Sequence, residues 1–579
     1  MGKREQETNE FTTWDGTRLF YRTWPPVSPT DRALILIHRG HEHSGRLQEL
    51  VDDLDLPSFW AFSWDNRGHG KSPGQRGDAP SYSALVRDLD AFARHLQETH
   101  GLKMENIAVV ANSVGAVTAA AWVHDYAPPI RSMVLAAPAF RIKLYVPFAI
   151  PALRLWRWWR QAAVINSYVK SRMLTHDPEQ SRAYDEDKLI TRNISVKILL
   201  GLHDTATRLL RDAGAIRTPT LVLSAGSDWV VKNSAQRRFF RGLSSAVKRM
   251  EHYAGFFHAI LYEKGREKPI NETRRFLLES FEHPVELPSL LEADRGGYSR
   301  TEHDLLRQPT VLWPRQMLFT LQKKSIETVG RLSKGIRVGL RTGFDSGQSL
   351  DYVYENRARG LTPVGKWIDH AYLNTVGWRG IRIRRKHLQE LLQKAIEDQL
   401  QKHDKIEIVD VATGCGRYVL EVLEKLPQEK IHARLRDWTP ANLEQGRALA
   451  AEKGLENVEF ELGDAFDRDG LLAISPQPHI IIVSGLYELF PENDRVAISL
   501  AGIAEVLVDR GYLLYTCQPW HPQLELIART LVNREGEPWV MRRRTQAEMD
   551  ELVAAAGLQK QDMRIDEYGI FTVSAARRV

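Results

Sequence analysis

Residues 107–123 read IAVVANSVGAVTAAAWV. The opening IAVVA is apolar and mostly β-branched, which suits a buried strand. The closing TAAAWV is rich in alanine, which suits a helix. Between them sits Ser113, with Gly115 two places on. A helix that leaves a strand through so sharp a turn packs against that strand, so the flanking positions must be small. Ala111 stands where a glycine is usual, and its one extra methyl group is small enough for the turn. The stretch predicts a serine held at the edge of a parallel sheet, in the geometry of an attacking nucleophile.

Working outward, ALILIH (33–38), FWAFSWD (59–65), SMVLAAP (132–138) and TLVLSAG (220–226) are further apolar runs separated by helical stretches. That alternation predicts a parallel sheet covered on both faces. A second set follows: IEIVDVA (406–412), IHARLRD (431–437), VEFELGD (458–464), HIIIVSG (479–485) and GYLLYT (511–516). The fold class expected is therefore α/β, with two doubly wound domains. Residues 1–285 form the first, 286–350 a helical basic connector, and 351–579 the second.

A nucleophilic serine needs a base, and the base needs a carboxylate to orient it. In the chain order Ser, Asp, His of doubly wound hydrolases, Asp228 follows the strand at 220–226 and His258 lies in the next loop. The oxyanion needs two donors; the backbone amides of Val114 and Gly40 are the candidates. His41, His43 and His69 are expected to tie loops together.

HRGHEHSGR (38–46) and WDNRGHGKSPGQRG (64–77) are similar to the HGxxEHSxR and DxRGHGxSxGxRG segments of the monoacylglycerol lipase and lysophospholipase branch of the α/β-hydrolases. The resemblance spans roughly 12–280. It departs from the branch at Arg39, where the branch has glycine, and at Asn112, where it has histidine before the serine. It implies a serine ester hydrolase acting on a lysophospholipid or monoacylglycerol-like ester, with a helical cap at about 140–200. Within that cap, IKLYVPFAIPALRLWRWWR (142–160) alternates tryptophan with arginine, as water–apolar boundaries favour.

In the second set, Asp410, Gly414 and Gly416 form D-x-x-x-G-x-G at the end of a strand. Glycines there let a ligand approach the backbone. A dinucleotide fingerprint would need glycine at 419, where Val419 stands. Asp437 and Asp464 end the next two strands, placed for ribose hydroxyls and for an adenine amino group. The set resembles a class I S-adenosylmethionine-dependent methyltransferase, Rossmann-like in fold, which implies S-adenosyl-L-methionine as cofactor and leaves the methyl acceptor unknown. Tyr487, Glu488, Trp520 and His521 lie in the loops where acceptors sit.

On a helical wheel Leu318, Leu321, Ser325, Val329, Leu332, Ile336 and Leu340 fall within about 60° of one line, opposite a face of lysines and arginines. The spacing predicts one amphipathic helix over 315–341, with peripheral membrane contact through it and through 142–160. Gly330, Gly335 and Gly339 each cost such a helix about 1 kcal/mol, so it should form only against something.

Bulk composition narrows the class. The 579 residues are 43% hydrophobic and 26% charged, with net charge +6. Two cysteines, Cys415 and Cys517, exclude a disulfide framework and make no metal cluster. No signal peptide or spanning segment is visible, so the expectation is a cytoplasmic enzyme, peripheral on the inner face of the membrane. No nucleic acid partner is expected, since no aromatics interleave a basic groove. The function expected is bifunctional, in lipid metabolism: an ester hydrolase fused to a methyltransferase. The alternatives are acyl transfer instead of hydrolysis, or a membrane-bound scaffold whose sites only sense ligands.

Overall fold

A computed structural model describes residues 3–309 and 313–578. The chain divides into two units, Met1–Pro288 and Ser289–Val579.

In the first unit the strands are β1 (Glu7–Thr12), β2 (Arg18–Trp24), β3 (Ala33–Ile37), β4 (Trp60–Trp64), β5 (Ile107–Asn112), β6 (Ser132–Ala136), β7 (Val164–Asn166), β8 (Asn193–Ser195), β9 (Thr220–Ala225) and β10 (Lys248–Tyr253). Eight of them make one sheet in the order β1-β2-β4-β3-β5-β6-β9-β10. From β4 to β10 the pairing is parallel, while β1 and β2 add an antiparallel edge. Every residue of β3, β5 and β6 is buried, because helices cover both faces. This is the α/β-hydrolase arrangement. The cap is inserted between β6 and the helix Val196–Asp212. It contains the helices Ala149–Trp159 and Pro178–Glu186 and the small antiparallel pair β7–β8. Ile150 and Leu153 of the first cap helix pack on Val196 and Leu200. Its other side leaves Trp158 and Trp159 77% and 80% exposed.

The second unit carries β11 (Ile406–Asp410), β12 (Ile431–Asp437), β13 (Val458–Leu462), β14 (Ile480–Val483), β15 (Tyr512–Cys517), β16 (Leu558–Ile565) and β17 (Thr572–Arg578). Their order is β13-β12-β11-β14-β15-β17-β16. The first five are parallel and the last two antiparallel. Strand order reverses between β11 and β14, and that switch point is where an open α/β sheet binds its ligand. The ten strands expected from apolar runs are all present. Strands β1, β2 and β10, the short cap pair β7–β8 and the antiparallel β16 and β17 carry no such run, since charged and polar residues interrupt their sequences.

The connector differs from expectation. From Ser289 onward it belongs to the second unit. It is not one helix: Trp313–Glu327 ends at Thr328, whose ψ is −84°, a 3₁₀ turn spans Val329–Leu332, and a new helix Lys334–Thr342 starts with Ser333 as its N-cap. The break resets the helical phase, so the stripe read across 315–341 does not stay on one face. Leu318 and Leu321 are exposed, while Ile336 packs in a core with Trp378, Ile381 and Phe571. The glycines are close-packing points as well as weak helix formers. A Cβ at Gly335 would lie 2.6 Å from Tyr372, and one at Gly339 would lie 2.4 Å from Phe344.

Candidate active sites

Ser113 follows β5 and opens the helix Val114–Tyr126 with φ 54° and ψ −110°. That conformation is costly for a residue with a side chain and marks a functional turn. Gly115 is required by its surroundings: a Cβ there would meet the His38 carbonyl at 2.6 Å and Ile37 at 2.7 Å. Ser113 Oγ lies 2.8 Å from His258 Nε2, and His258 Nδ1 lies 2.8 Å from Asp228 Oδ2. The other Asp228 oxygen accepts the backbone amides of Val230 and Val231 at 2.7 and 2.9 Å. Burial alone would raise the Asp228 pKa. The His258 ring and the two amides outweigh it and hold the carboxyl below its ordinary value. All three residues are at least 95% buried.

As the first residue of its helix, the Val114 amide has no intrahelical acceptor. Gly40 lies against Val114, where a Cβ would come within 2.8 Å of Val114 Cγ2. His69 ties down this loop through the Gly40 carbonyl at 2.9 Å, His41 reaches Ser167 Oγ, and His43 reaches Asp187. Burial pushes His41 and His69 down to about 4, so both are neutral loop ties. Arg39, where the resembled branch has glycine, makes a buried pair with Glu42. Ser113 and His258 open on a cavity of about 150 Å³, walled by Leu85, Leu144, Ile198 and Leu202 among others.

In the second unit a cavity of about 880 Å³ lies over the switch point, lined by Gly414, Gly416, Asp437 and Asp464. Gly414 and Gly416 have φ of 59° and 71°, the left-handed region that glycine reaches at least cost. Asp437 accepts from the Gly414 amide at 2.8 Å, the Thr439 amide at 2.9 Å and Asn442 Nδ2 at 2.9 Å. A second cavity, of about 380 Å³ and nearly apolar, includes Glu488 and His521 in its wall.

Comparison with known proteins agrees with both halves. A family model described as "Serine aminopeptidase, S33" matches residues 28–265. A family model described as "Putative methyltransferase" matches residues 273–578. The chain belongs to this methyltransferase family. Its methyltransferase unit is thus joined to a hydrolase unit in one chain. The uncharacterized protein YnbC of Escherichia coli (strain K12) is 47% identical over 572 residues, 98% of each chain. The hydrolase unit alone is 25% identical over 267 residues to the monoglyceride lipase of Homo sapiens, covering 44% of this chain and 84% of that one. It is 24% identical to the phospholipase YtpA of Bacillus subtilis, covering 44% of this chain and 97% of that one. Among solved structures, the monoacylglycerol lipase of Paleococcus ferrophilus aligns at 23% identity with a TM-score of 0.41, covering 48% of this chain and 99% of that one.

Of the residues expected in the methyltransferase unit, Gly414, Gly416, Asp437 and Asp464 line the large cavity, and Glu488 and His521 line the second. Three do not reach either wall. Asp410 is fully buried and takes the Tyr418 hydroxyl and the Ala412 amide. Tyr487 bonds Ser499 in the core, and Trp520 packs in the cluster around Trp378. Residues missed from sequence include the Asp351–Arg417 ion pair, Arg384 and Trp438, all lining the large cavity. Asp351 and Arg384 come from helices ahead of β11, where no local motif marks a site. The cradle fits a nucleoside-bearing cofactor. A carboxylate has about four acceptor positions, so Asp437 keeps about one for a ribose hydroxyl after its three internal bonds. Cys415 also lines the cavity, but burial pushes its thiol up to about 12, which leaves it un-ionised.

Proposed function

We propose that the chain is a bifunctional enzyme. Its hydrolase unit cleaves an acyl ester of lysophospholipid or monoacylglycerol type, and its methyltransferase unit transfers a methyl group from S-adenosylmethionine. The observation that carries the first half is the continuous relay from Ser113 through His258 to Asp228.

In this reading His258 Nε2 takes the proton as Ser113 Oγ attacks the ester carbonyl. It then returns that proton to the leaving alcohol. Asp228 keeps Nδ1 protonated and stabilises the charged ring. The Gly40 and Val114 amides donate to the oxyanion, and one such donor is worth about 3–4 kcal/mol of barrier. The apolar walls beside Ser113 suit an acyl chain.

In the second unit, Gly414 and Gly416 let the cofactor lie against the backbone. Asp437 takes a ribose hydroxyl and Asp464 meets the adenine. When bound, S-adenosylmethionine supplies an electrophilic methyl group on a sulfonium. The protein's part is alignment and exclusion of water. Both reactions are assigned to lipid metabolism. Phe148, Trp158 and Trp159, exposed beside Arg157 and Arg160, support peripheral contact with an anionic membrane surface at the inner face. Among the described residues no helix is long and apolar enough to cross a membrane.

The test treats purified full-length protein with a serine-reactive fluorophosphonate and a panel of glyceryl and lysophospholipid esters. Label at Ser113 with release of free acid is the expected result. A new ester in place of free acid assigns acyl transfer. Absence of label on folded protein rejects the serine mechanism. Methyl-labelled S-adenosylmethionine with a cell extract should place label in the lipid fraction, and label confined to aqueous products rejects the lipid assignment.

A further inference from the structure

The second cavity of the methyltransferase unit adjoins the first, and the two share Asp345, Arg384, Gly485 and Trp539 in their walls. At about 380 Å³ it has the size of a small-ligand pocket. Ile368, Trp378, Ile381, Leu526 and Phe571 make it apolar.

Its charged groups are few. Asp345, Glu488 and Arg384 are the charged side chains of the wall, and Asp345 is itself paired with Arg534 at 3.3 Å. His521 adds no charge, since burial pushes it down to about 3. Arg384 Nη1 donates to Glu488 Oε1 at 3.1 Å. Glu488 Oε2 is buried with no hydrogen-bond partner among the described residues. A buried oxygen in that state is costly and favours any ligand that brings it a proton donor. An anionic ligand gains less, because it leaves water for a largely apolar wall in which two carboxylates face one arginine, whose Nη1 is engaged by Glu488 while its Nε is left unpartnered.

Resting on the methyltransferase reading above, we infer that this chamber holds the methyl acceptor, and that the acceptor is a lipophilic alcohol or amine whose O–H or N–H points at Glu488 Oε2. A carboxylate or phosphate acceptor is disfavoured, since it would give up its hydration to a largely apolar wall that carries two carboxylates against one arginine. In the transfer the acceptor heteroatom bonds to the methyl carbon. The sulfur–carbon bond breaks with its electron pair left on sulfur, and the heteroatom's proton passes to the Glu488 carboxylate. Burial raises the Glu488 pKa, which suits a group that takes a proton.

The test is calorimetry on the full chain with S-adenosylhomocysteine bound, using 1-octanol, n-octylamine and octanoate as probes of one chain length. Octanol and octylamine should bind at least about tenfold tighter than octanoate, a difference of about 1.4 kcal/mol. Thr375→Phe and Leu526→Trp, both at half-buried wall positions, should abolish that binding and leave S-adenosylhomocysteine affinity intact. This distinguishes the chamber from the pocket beside Ser113. Glu488→Gln should retain octanol, bring octylamine and octanoate to near parity, and slow methylation by about 10²-fold. Octanoate binding tightest, no binding of any probe, or octanol and octylamine binding untouched by both filling variants overturns the inference and leaves the cofactor assignment standing. Failure of S-adenosylhomocysteine to bind wild-type protein overturns the methyltransferase reading, and the inference with it.

Discussion

The two candidate sites differ in where their chemistry resides. Beside β5 it resides in three side chains already joined by hydrogen bonds, with strain stored at Ser113. Over β11 and β14 it resides in backbone: two glycines in left-handed conformations, strand ends, and a large cavity. Covalent catalysis demands an assembled nucleophile, and transfer between two bound molecules demands space and alignment. The first kind of site is written in residue identities. The second is written largely in shape.

The largest effect that could break this comparison is at Ser113. Ser113→Ala should lower ester hydrolysis by about 10⁶-fold and abolish fluorophosphonate labelling, while S-adenosylhomocysteine binding by calorimetry stays unchanged. A variant that keeps wild-type hydrolysis ends the covalent reading. Next in size is Gly414→Val. A β-branched residue at φ 59° is strained by about 1–3 kcal/mol, so cofactor affinity should fall about 10- to 100-fold with hydrolysis untouched.

A third prediction concerns pH. Burial, only partly offset by the Tyr418 hydrogen bond, raises Asp410 to about 7. The unfolded value is near 3.9. Between those values the folded state binds a proton that the unfolded state does not, so stability falls as pH rises from about 4 to about 7. The contribution is whole below about 4 and lost above about 7. Asp410→Asn should flatten this part of the melting-temperature profile of the methyltransferase unit. An unchanged profile means that Asp410 is ionised in the fold. The smallest effects separate the halves of the former connector. Ile336→Ala should cost about 2–4 kcal/mol in denaturant unfolding, and Leu321→Ala less than about 0.5 kcal/mol. Equal costs contradict the broken helix.

How much was legible in advance follows from the same contrast. Ser113, Asp228 and His258 were readable because a nucleophile, its base and its orienting acid must be those residue types in that chain order. Gly414, Gly416, Asp437 and Asp464 were readable because strand ends in a parallel sheet converge on one edge. Asp410 misled, because a buried strand-end carboxylate bonded to a tyrosine looks the same in sequence as one that faces a ligand. Tyr487 and Trp520 misled because position in an acceptor loop does not say which way a side chain turns.

By itself the sequence determined two α/β units, the central parallel strands of each sheet, the three-residue relay and the strand-end edge of the second sheet. These rest on local patterning and residue chemistry, which survive without knowledge of long-range contacts. Only tertiary structure decided that the stripe over 315–341 breaks at Thr328, that Ile336 is core while Leu321 is surface, and that an apolar chamber with one unpartnered Glu488 oxygen adjoins the large cavity. Its wall draws on Ile326, Arg384, Glu488 and Phe571, residues far apart in the chain, and only folding brings their faces together.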